Sequence, residues 1–300
     1  MTSARNRLWL ALVKVRSLLI RSGLLRLRIG PLDVNAVLFS LGFRLAPPFK
    51  HDITVTLPTG QTLFVPAGHS AGRVYATNSY ERDVTSLFLS LVKPGMTVID
   101  LGAHIGYYSL LASSLAGPAG TVYAFEPDPR YYSVLTQNLE ANGCVNVRTV
   151  AEAVSRECGE TFMWSEAGAG GSNLFARTGA FPNTRIRVRV TTLDDFLARA
   201  GWPAVDLIKM DIEGAEAAAL EGMTELSRRN TSLRLIVEVL PRGLAAAGTS
   251  VGGLFAQLER LGFTRFSVIE AGLRQIAACD LAWLQKHTEF REANLLCEKC

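Results

Sequence analysis

Short apolar runs punctuate this chain near residues 98–101, 121–125, 146–150, 206–210, 233–239, 264–270 and 293–297. Each is rich in Val, Ile, Leu or Phe and too short for a helix, which predicts strands buried on both faces. Between them lie stretches with helical spacing, near 106–116, 130–142, 214–228 and 251–262. Such alternation predicts an α/β fold: a doubly wound, mostly parallel sheet with helices on both sides. Ahead of it, Tyr80 to Leu91 has a helical pattern, and Ile53–Leu57, Pro58-Thr-Gly60 and Gln61–Val65 read as a hairpin. An insertion from Glu160 to Val190 alternates in Thr161-Phe-Met-Trp164 and Arg185-Ile-Arg-Val-Arg-Val190, the arginines marking one solvated or anion-facing side. Its Gly-rich stretch, Glu166 to Ser172, predicts a mobile loop. The chain thus divides into an arm over residues 1–50, a hairpin and connector over 51–79, and an α/β domain over 80–300.

Charge sharpens that division. Residues 1–50 carry nine basic residues against one acid, Asp33, a net of +8; the remainder holds 22 basic and 26 acidic residues, a net of −4. An acidic body argues against a nucleic-acid groove. In the arm, Leu8 to Val13 is far too short to span a bilayer, and Lys14 interrupts any signal-peptide core. Arg7, Lys14, Arg21 and Arg28 recur near one helix face, while Trp9, Val13, Ile20, Leu24 and Leu27 gather elsewhere on it. A basic helix of this kind suits either an anionic membrane surface or packing on the α/β domain or a partner. Composition fits one sizeable core, with 48% of the 300 residues hydrophobic. Five irregularly spaced cysteines point to reduced thiols in a cytoplasmic protein. Cys297-x-x-Cys300 has no second pair, so no metal site is expected.

The candidate chemistry begins at Asp100-Leu-Gly-Ala-His-Ile-Gly106. Asp100 ends a strand, Gly102 permits a tight turn, and Gly106 opens a helix whose N-terminus can approach a ligand. The next strand ends in Glu126-Pro127, an acid suited to a ribose diol. His104 stands where a dinucleotide fingerprint needs its middle glycine, and no Walker A lysine follows. The turn therefore suits a nucleoside without phosphates, as in S-adenosylmethionine, with Asp100 facing the ammonium or sulfonium. A second constellation, Asp206-Leu-Ile-Lys-Met-Asp211-Ile-Glu213-Gly-Ala-Glu216, ends another strand. Its acids either cap a helix or, in the case of Asp211, point into the same crevice as Asp100. Glu216 is expected only to cap.

Taken together, Tyr80-Glu81, Asp100–Ser109, Ala124–Pro127, Asn138 with Asn142, Thr192–Asp194, Leu207–Glu216, Glu238 and Asn294–Leu296 resemble the FkbM-type S-adenosylmethionine-dependent methyltransferase family over residues 70–297. The Ile208–Glu216 block is its most distinctive piece, and His104 departs from a commoner asparagine. The resemblance implies a class I methyltransferase sheet of seven strands, the last antiparallel. It implies S-adenosylmethionine as cofactor, with Glu81, Asp100, Gly102, Ala103, His104, Gly106, Tyr107, Glu126, Pro127 and Asp211 at its site. It further implies O-methylation of a sugar, polysaccharide, lipid-linked glycan or polyketide-like hydroxyl. Such an acceptor benefits from a base, for which Asp211, Glu213 and His104 are the candidates in that order. The Asn/Asp-Pro-Pro-Tyr motif of nucleobase N-methylation is absent after Met210. Trp164, Phe175 and Phe181 are candidates to cover the acceptor. Two other classes fit parts of the pattern: a nicotinamide-dependent oxidoreductase, disfavoured by His104, and a non-catalytic, membrane-recruited nucleoside-binding module, disfavoured by the intact Asp211 block.

Overall fold

A computed structural model describes residues 28–29, 32–33, 49–166, 172–173, 183–270, 272–276 and 293–299. By contacts the chain forms two compact units, one of residues 1–55 and 64–80, the other of 56–63 and 81–300. In the first unit, β1 (Arg28–Ile29) pairs antiparallel with β2 (Leu32–Asp33). The predicted arm helix therefore does not run through Arg28, a pairing in keeping with the helix-breaking Gly30-Pro31 sequence; residues 1–27 lie outside those described. β3 (Ile53–Thr56) and β4 (Thr62–Val65) form the expected hairpin. The short helix α1 (Gly72–Ala76) carries Arg73, whose guanidinium lies 4.7 Å from the Phe49 ring centre.

The second unit starts at the hairpin tip and at α2 (Arg82–Leu91). Then follow β5 (Thr97–Leu101), α3 (Tyr107–Ala116), β6 (Thr121–Phe125), α4 (Pro129–Ala141) and β7 (Val147–Val150). An excursion of β8 (Ala153–Val154), β9 (Gly159–Glu166), β10 (Ser172–Asn173) and β11 (Asn183–Thr191) leads to α5 (Leu193–Arg199) and β12 (Leu207–Met210). The chain continues with α6 (Glu216–Glu221), α7 (Thr224–Arg229), β13 (Arg234–Val239), α8 (Pro241–Ala246), α9 (Val251–Arg260), β14 (Arg265–Ile269), β15 (Leu273–Ile276) and β16 (Ala293–Glu298).

One sheet organises this unit, in the order β15-β14-β16-β13-β12-β5-β6-β7. Strands β13, β12, β5, β6 and β7 are parallel, and β16 inserts antiparallel between β13 and β14. This is the predicted seven-strand, last-antiparallel arrangement, extended by β15 as an eighth strand at the edge. All four residues of β12 are buried, because helices cover both faces. Ile99, Leu101, Ile208, Met210, Leu235, Val237 and Leu295 form the middle of the core.

Caps fix where the helices start. Asp128 accepts the Arg130 N–H at α4, Thr192 the Asp195 N–H at α5, and Ser250 the Gly253 N–H at α9. The helix expected over 214–228 is two helices, because the Asp194 carboxylate accepts the N–H groups of Glu225 and Leu226 at 2.8 and 2.7 Å. Those bonds start a new helix after Met223. Helices α1, α5 and α8 went unpredicted, being too short to show periodicity. Asn142 ties the hairpin tip to α4 by accepting from Thr62 N–H at 2.8 Å and donating to Thr62 C=O at 2.7 Å. In the excursion, β9 and β11 pair antiparallel over a small core of Ala153, Met163 and Val188. Of the Gly-rich stretch, residues 167–171 lie outside those described.

Candidate active site

The sheet runs outward in opposite directions from β5 and β12, so a crevice opens at the carboxyl ends of this pair. Three successive N–H groups of the β5–α3 turn reach the end of β6. Gly102 and Ala103 donate to Phe125 C=O at 3.0 and 2.9 Å, and His104 donates to Glu126 Oε2 at 2.8 Å. Gly102 has φ +82°, and a Cβ there would lie 2.0 Å from the Asp211 carbonyl oxygen. The glycine is thus demanded by the β12–α6 turn packing directly on the β5–α3 turn. Gly106, at φ +96°, has the Cδ1 of Leu135 filling the place a Cβ would take, 2.9 Å away. The positive φ itself favours glycine at the start of α3, where α4 packs closely. Asn138, buried on α4, donates to Ile105 C=O at 2.7 Å and holds the turn from the other side.

Glu126 is only 4% exposed. Its Oε2 accepts from His104 and its Oε1 from the Asp128 N–H at 2.8 Å. Burial pushes its pKa up to about 8 despite these two donors. Each carboxylate oxygen keeps a lone pair for a further donor, which suits a vicinal diol. After Pro127, the buried Asp128 accepts from Arg130 Nε at 3.2 Å and Nη2 at 3.0 Å and from the Ser165 hydroxyl of β9, tying the excursion to this edge. The His104 ring lies 4.0 Å, centre to centre, from that of Tyr131 on α4.

Asp100 is buried, and its Oδ2 accepts from Ser109 Oγ of α3 at 2.6 Å. Burial raises its pKa to about 6, opposed by Ser109 and by the Lys209 charge. Lys209 is the site residue that the sequence reading passed over. It is 1% exposed, 2.9 Å from Asp211 Oδ2 and 3.9 Å from Glu81 Oε2. Its ammonium lies 4.9 Å from the Tyr108 ring centre, and the Tyr108 hydroxyl donates to Glu81 at 2.6 Å. Neighbouring acids hold the Lys209 pKa above its ordinary value against the cost of burial. The visible signal was a charged residue inside the apolar run Leu-Ile-Lys-Met. Tyr107 packs edge-on against Tyr108 and lies 3.4 Å from the Thr85 hydroxyl.

Beyond Asp211, Glu213 occupies a left-handed conformation at φ +55°. Glu216 does more than stand in the first turn of α6: fully buried, it accepts from the Ile212 and Gly214 N–H groups at 3.2 and 3.1 Å and so shapes the loop carrying Glu213. Burial raises its pKa to about 7. The structure thus gathers Asp100, Gly102, Ala103, His104, Glu126 and Pro127 at the ends of β5 and β6. Glu81, Tyr108 and Asp211 meet through Lys209, and Gly102 against Asp211 joins the two groups. Phe175 and Phe181 lie outside the described residues, while Trp164 sits half-buried on β9. Among the described residues no three His, Cys, Asp or Glu side chains are placed to hold a metal ion.

A parallel sheet with its switch point between β5 and β12 and its last strand inserted antiparallel is the framework of class I methyltransferases. The methyltransferase FkbM domain matches residues 100–264, more than half of the chain, and the chain belongs to that family. The hexuronic acid methyltransferase AglP of Haloferax volcanii is 28% identical over 146 residues, covering 48% of this chain and 56% of AglP. The 31-O-demethyl-FK506 methyltransferase FkbM of Streptomyces tacrolimicus is 28% identical over 204 residues, covering 57% of this chain and 76% of FkbM. The 2-O-methyltransferase NoeI of Sinorhizobium fredii is 27% identical over 158 residues, covering 48% of this chain and 63% of NoeI. The chain therefore spans less than two thirds of AglP and of NoeI. Among the described residues, no helix is long and apolar enough to cross a membrane.

Proposed function

We propose that this protein methylates a hydroxyl oxygen of a small molecule or glycan, with S-adenosylmethionine as methyl donor. The observation that carries the reading is Glu126, a buried carboxyl group fixed by two backbone N–H groups, one on each oxygen. In this reading Glu126 holds the ribose hydroxyls, and Asp100, across the turn, faces the positively charged methionyl side. The bound cofactor supplies an electrophilic methyl group on a sulfonium, whose carbon–sulfur electrons leave with sulfur. Asp211 is the base. Its carboxylate is held by Lys209 at the mouth of the crevice, where it takes the acceptor's proton as the oxygen–carbon bond forms. Glu213 and His104 rank behind it: Glu213 sits two residues further along in a left-handed turn, and the His104 ring packs on Tyr131. Most of the rate then comes from orientation of the hydroxyl against the methyl group.

The hexuronic acid of AglP and the 31-O-demethyl-FK506 of FkbM favour a sugar or polyketide-like hydroxyl as acceptor class, and the 2-O-methyltransferase NoeI favours an oxygen. Residues 80–300 would then form the catalytic part, with Trp164 on the β9 excursion covering the acceptor. The seven basic residues of positions 1–30 support a peripheral contact with an anionic membrane, on the cytoplasmic side, that brings a lipid-linked acceptor within reach. Calorimetry with S-adenosylhomocysteine tests the cofactor, and transfer of a labelled methyl group to a panel of hexuronic acids, other sugars and macrolides tests the acceptor. Absence of S-adenosylhomocysteine binding would end the reading.

A further inference from the structure

Lys209 sits on a central strand of the sheet, where Leu207, Ile208 and Met210 are all buried and apolar. An ammonium in such a place costs free energy that another aliphatic side chain would not. What it touches accounts for it. In parallel strands, register partners share a face, and so does every second residue along each strand. Lys209 is partnered with Asp100 on β5 and Ile236 on β13, so Asp100, Lys209, Asp211 and Glu238 line one face at the carboxyl ends of three strands. From the covering helices, Ser109, Tyr107 and Tyr108 of α3 and Thr85 of α2 meet this face, with Glu81 just before α2. Four acids thus surround one ammonium.

We propose that Lys209 is the positioning residue of the site: its ammonium clamps the Asp211 and Glu81 carboxylates in one geometry beside Asp100, its register partner on β5. The proposal rests on the methyltransferase reading above. Asp211 and Glu81 keep 22% and 21% of their side-chain surface in water, so both can hydrate when the ammonium is removed. Without Lys209 the Asp211 charge acts on Asp100 uncompensated, and its proton affinity rises.

The test needs no acceptor. Calorimetry measures S-adenosylhomocysteine binding between pH 5 and 8.5 for the wild type, Lys209→Met and Lys209→Arg, with thermal melts to establish folding. Glu126 takes up its proton near 8 in all three proteins, and below that limb wild-type affinity weakens further as pH falls through about 6, where Asp100 takes up a proton. In Lys209→Met that weakening begins about one pH unit higher, and affinity near pH 6.5 is about tenfold lower. Lys209→Arg, which restores the charge, returns the limb toward the wild-type position. Should the Met variant fail to melt cooperatively, Lys209→Gln, neutral but still a donor to Asp211, takes its place with the same expected shift. A folded neutral variant whose pH profile superimposes on the wild type overturns the proposal and leaves Lys209 a structural residue. No binding by the wild type at any pH would instead overturn the methyltransferase reading itself.

Discussion

Glu126→Gln separates the two things this carboxylate does. Wild-type Glu126 goes from an ordinary 4.5 to about 8 on burial, so between those values the folded chain holds a proton that the unfolded chain has released. Stability therefore falls as pH rises through this window. At about 1.4 kcal/mol per unit, the cost is about 3 kcal/mol at pH 7 and between about 4 and 5 kcal/mol at pH 8, and it vanishes below pH 4.5. The amide does not titrate, but its NH2 opposes one of the two N–H groups of His104 and Asp128 that the carboxylate accepts. A buried donor left unpaired costs about 1–3 kcal/mol. The variant should thus melt several degrees below the wild type at pH 5, draw level between pH 6 and 7, and melt above it at pH 8. Circular dichroism melts of the ligand-free proteins at those pH values read the crossing directly. Glu216 titrates in both proteins and cancels in the difference. A deficit of constant size from pH 5 to 8 would refute the argument, since it would mean that Glu126 is ionised in the folded chain throughout. With S-adenosylhomocysteine present, the variant should bind about 10- to 150-fold more weakly, having lost hydrogen bonds to the diol worth about 1.5–3 kcal/mol.

Asp211→Asn should lower methyl transfer by about 100-fold or more while leaving S-adenosylhomocysteine affinity within a few-fold, once the acceptor panel yields a substrate; near-normal turnover would remove Asp211 as the base. Gly102→Ala places a Cβ 2.0 Å from the Asp211 carbonyl at φ +82°, so urea unfolding should show a loss above about 2 kcal/mol, and a change within about 0.5 kcal/mol would contradict the close approach. Deleting residues 1–30 should abolish flotation of the protein with anionic vesicles at low salt, each basic residue near the surface contributing about 1 kcal/mol. Failure of the intact chain to float would end the membrane proposal.

The strands were legible because each is a closed apolar run. β5, β6, β12, β13, β14 and β16 start or end within one or two residues of the pattern read from sequence. The short helices were not, because their information is tertiary. Nothing in the sequence near Thr224 announces a helix start; it is the Asp194 carboxylate, 31 residues earlier, that receives the N–H of Glu225. Among the site residues, Asp100, Glu126 and Asp211 stood out as acids at strand ends. Lys209 did not, since an isolated lysine in an apolar run has a meaning only once the register with Asp100 and the approach of Glu81 and Tyr108 are known. Likewise Glu216, at the start of a helix, looked like an ordinary favourable charge there, and only full burial shows it organising the loop before it.

The contact between Gly102 and Asp211 gives these scattered residues a common logic. A cofactor turn can be built on β5 alone, and a base can be carried by β12 alone, but transfer needs the two in fixed relation. Here the relation is set by backbone rather than side chains. The Asp211 N–H donates to Leu101 C=O at 3.1 Å, and its own carbonyl occupies the space beside Gly102. Side chains then refine what the backbone fixes. Glu126 anchors the far end of the turn through His104, and Lys209 anchors the Asp211 carboxylate from below. A perturbation at Gly102 therefore has to move the residue proposed as base along with the turn proposed to hold the nucleoside. Damage to binding and to chemistry should appear together in Gly102→Ala and separately in Glu126→Gln and Asp211→Asn.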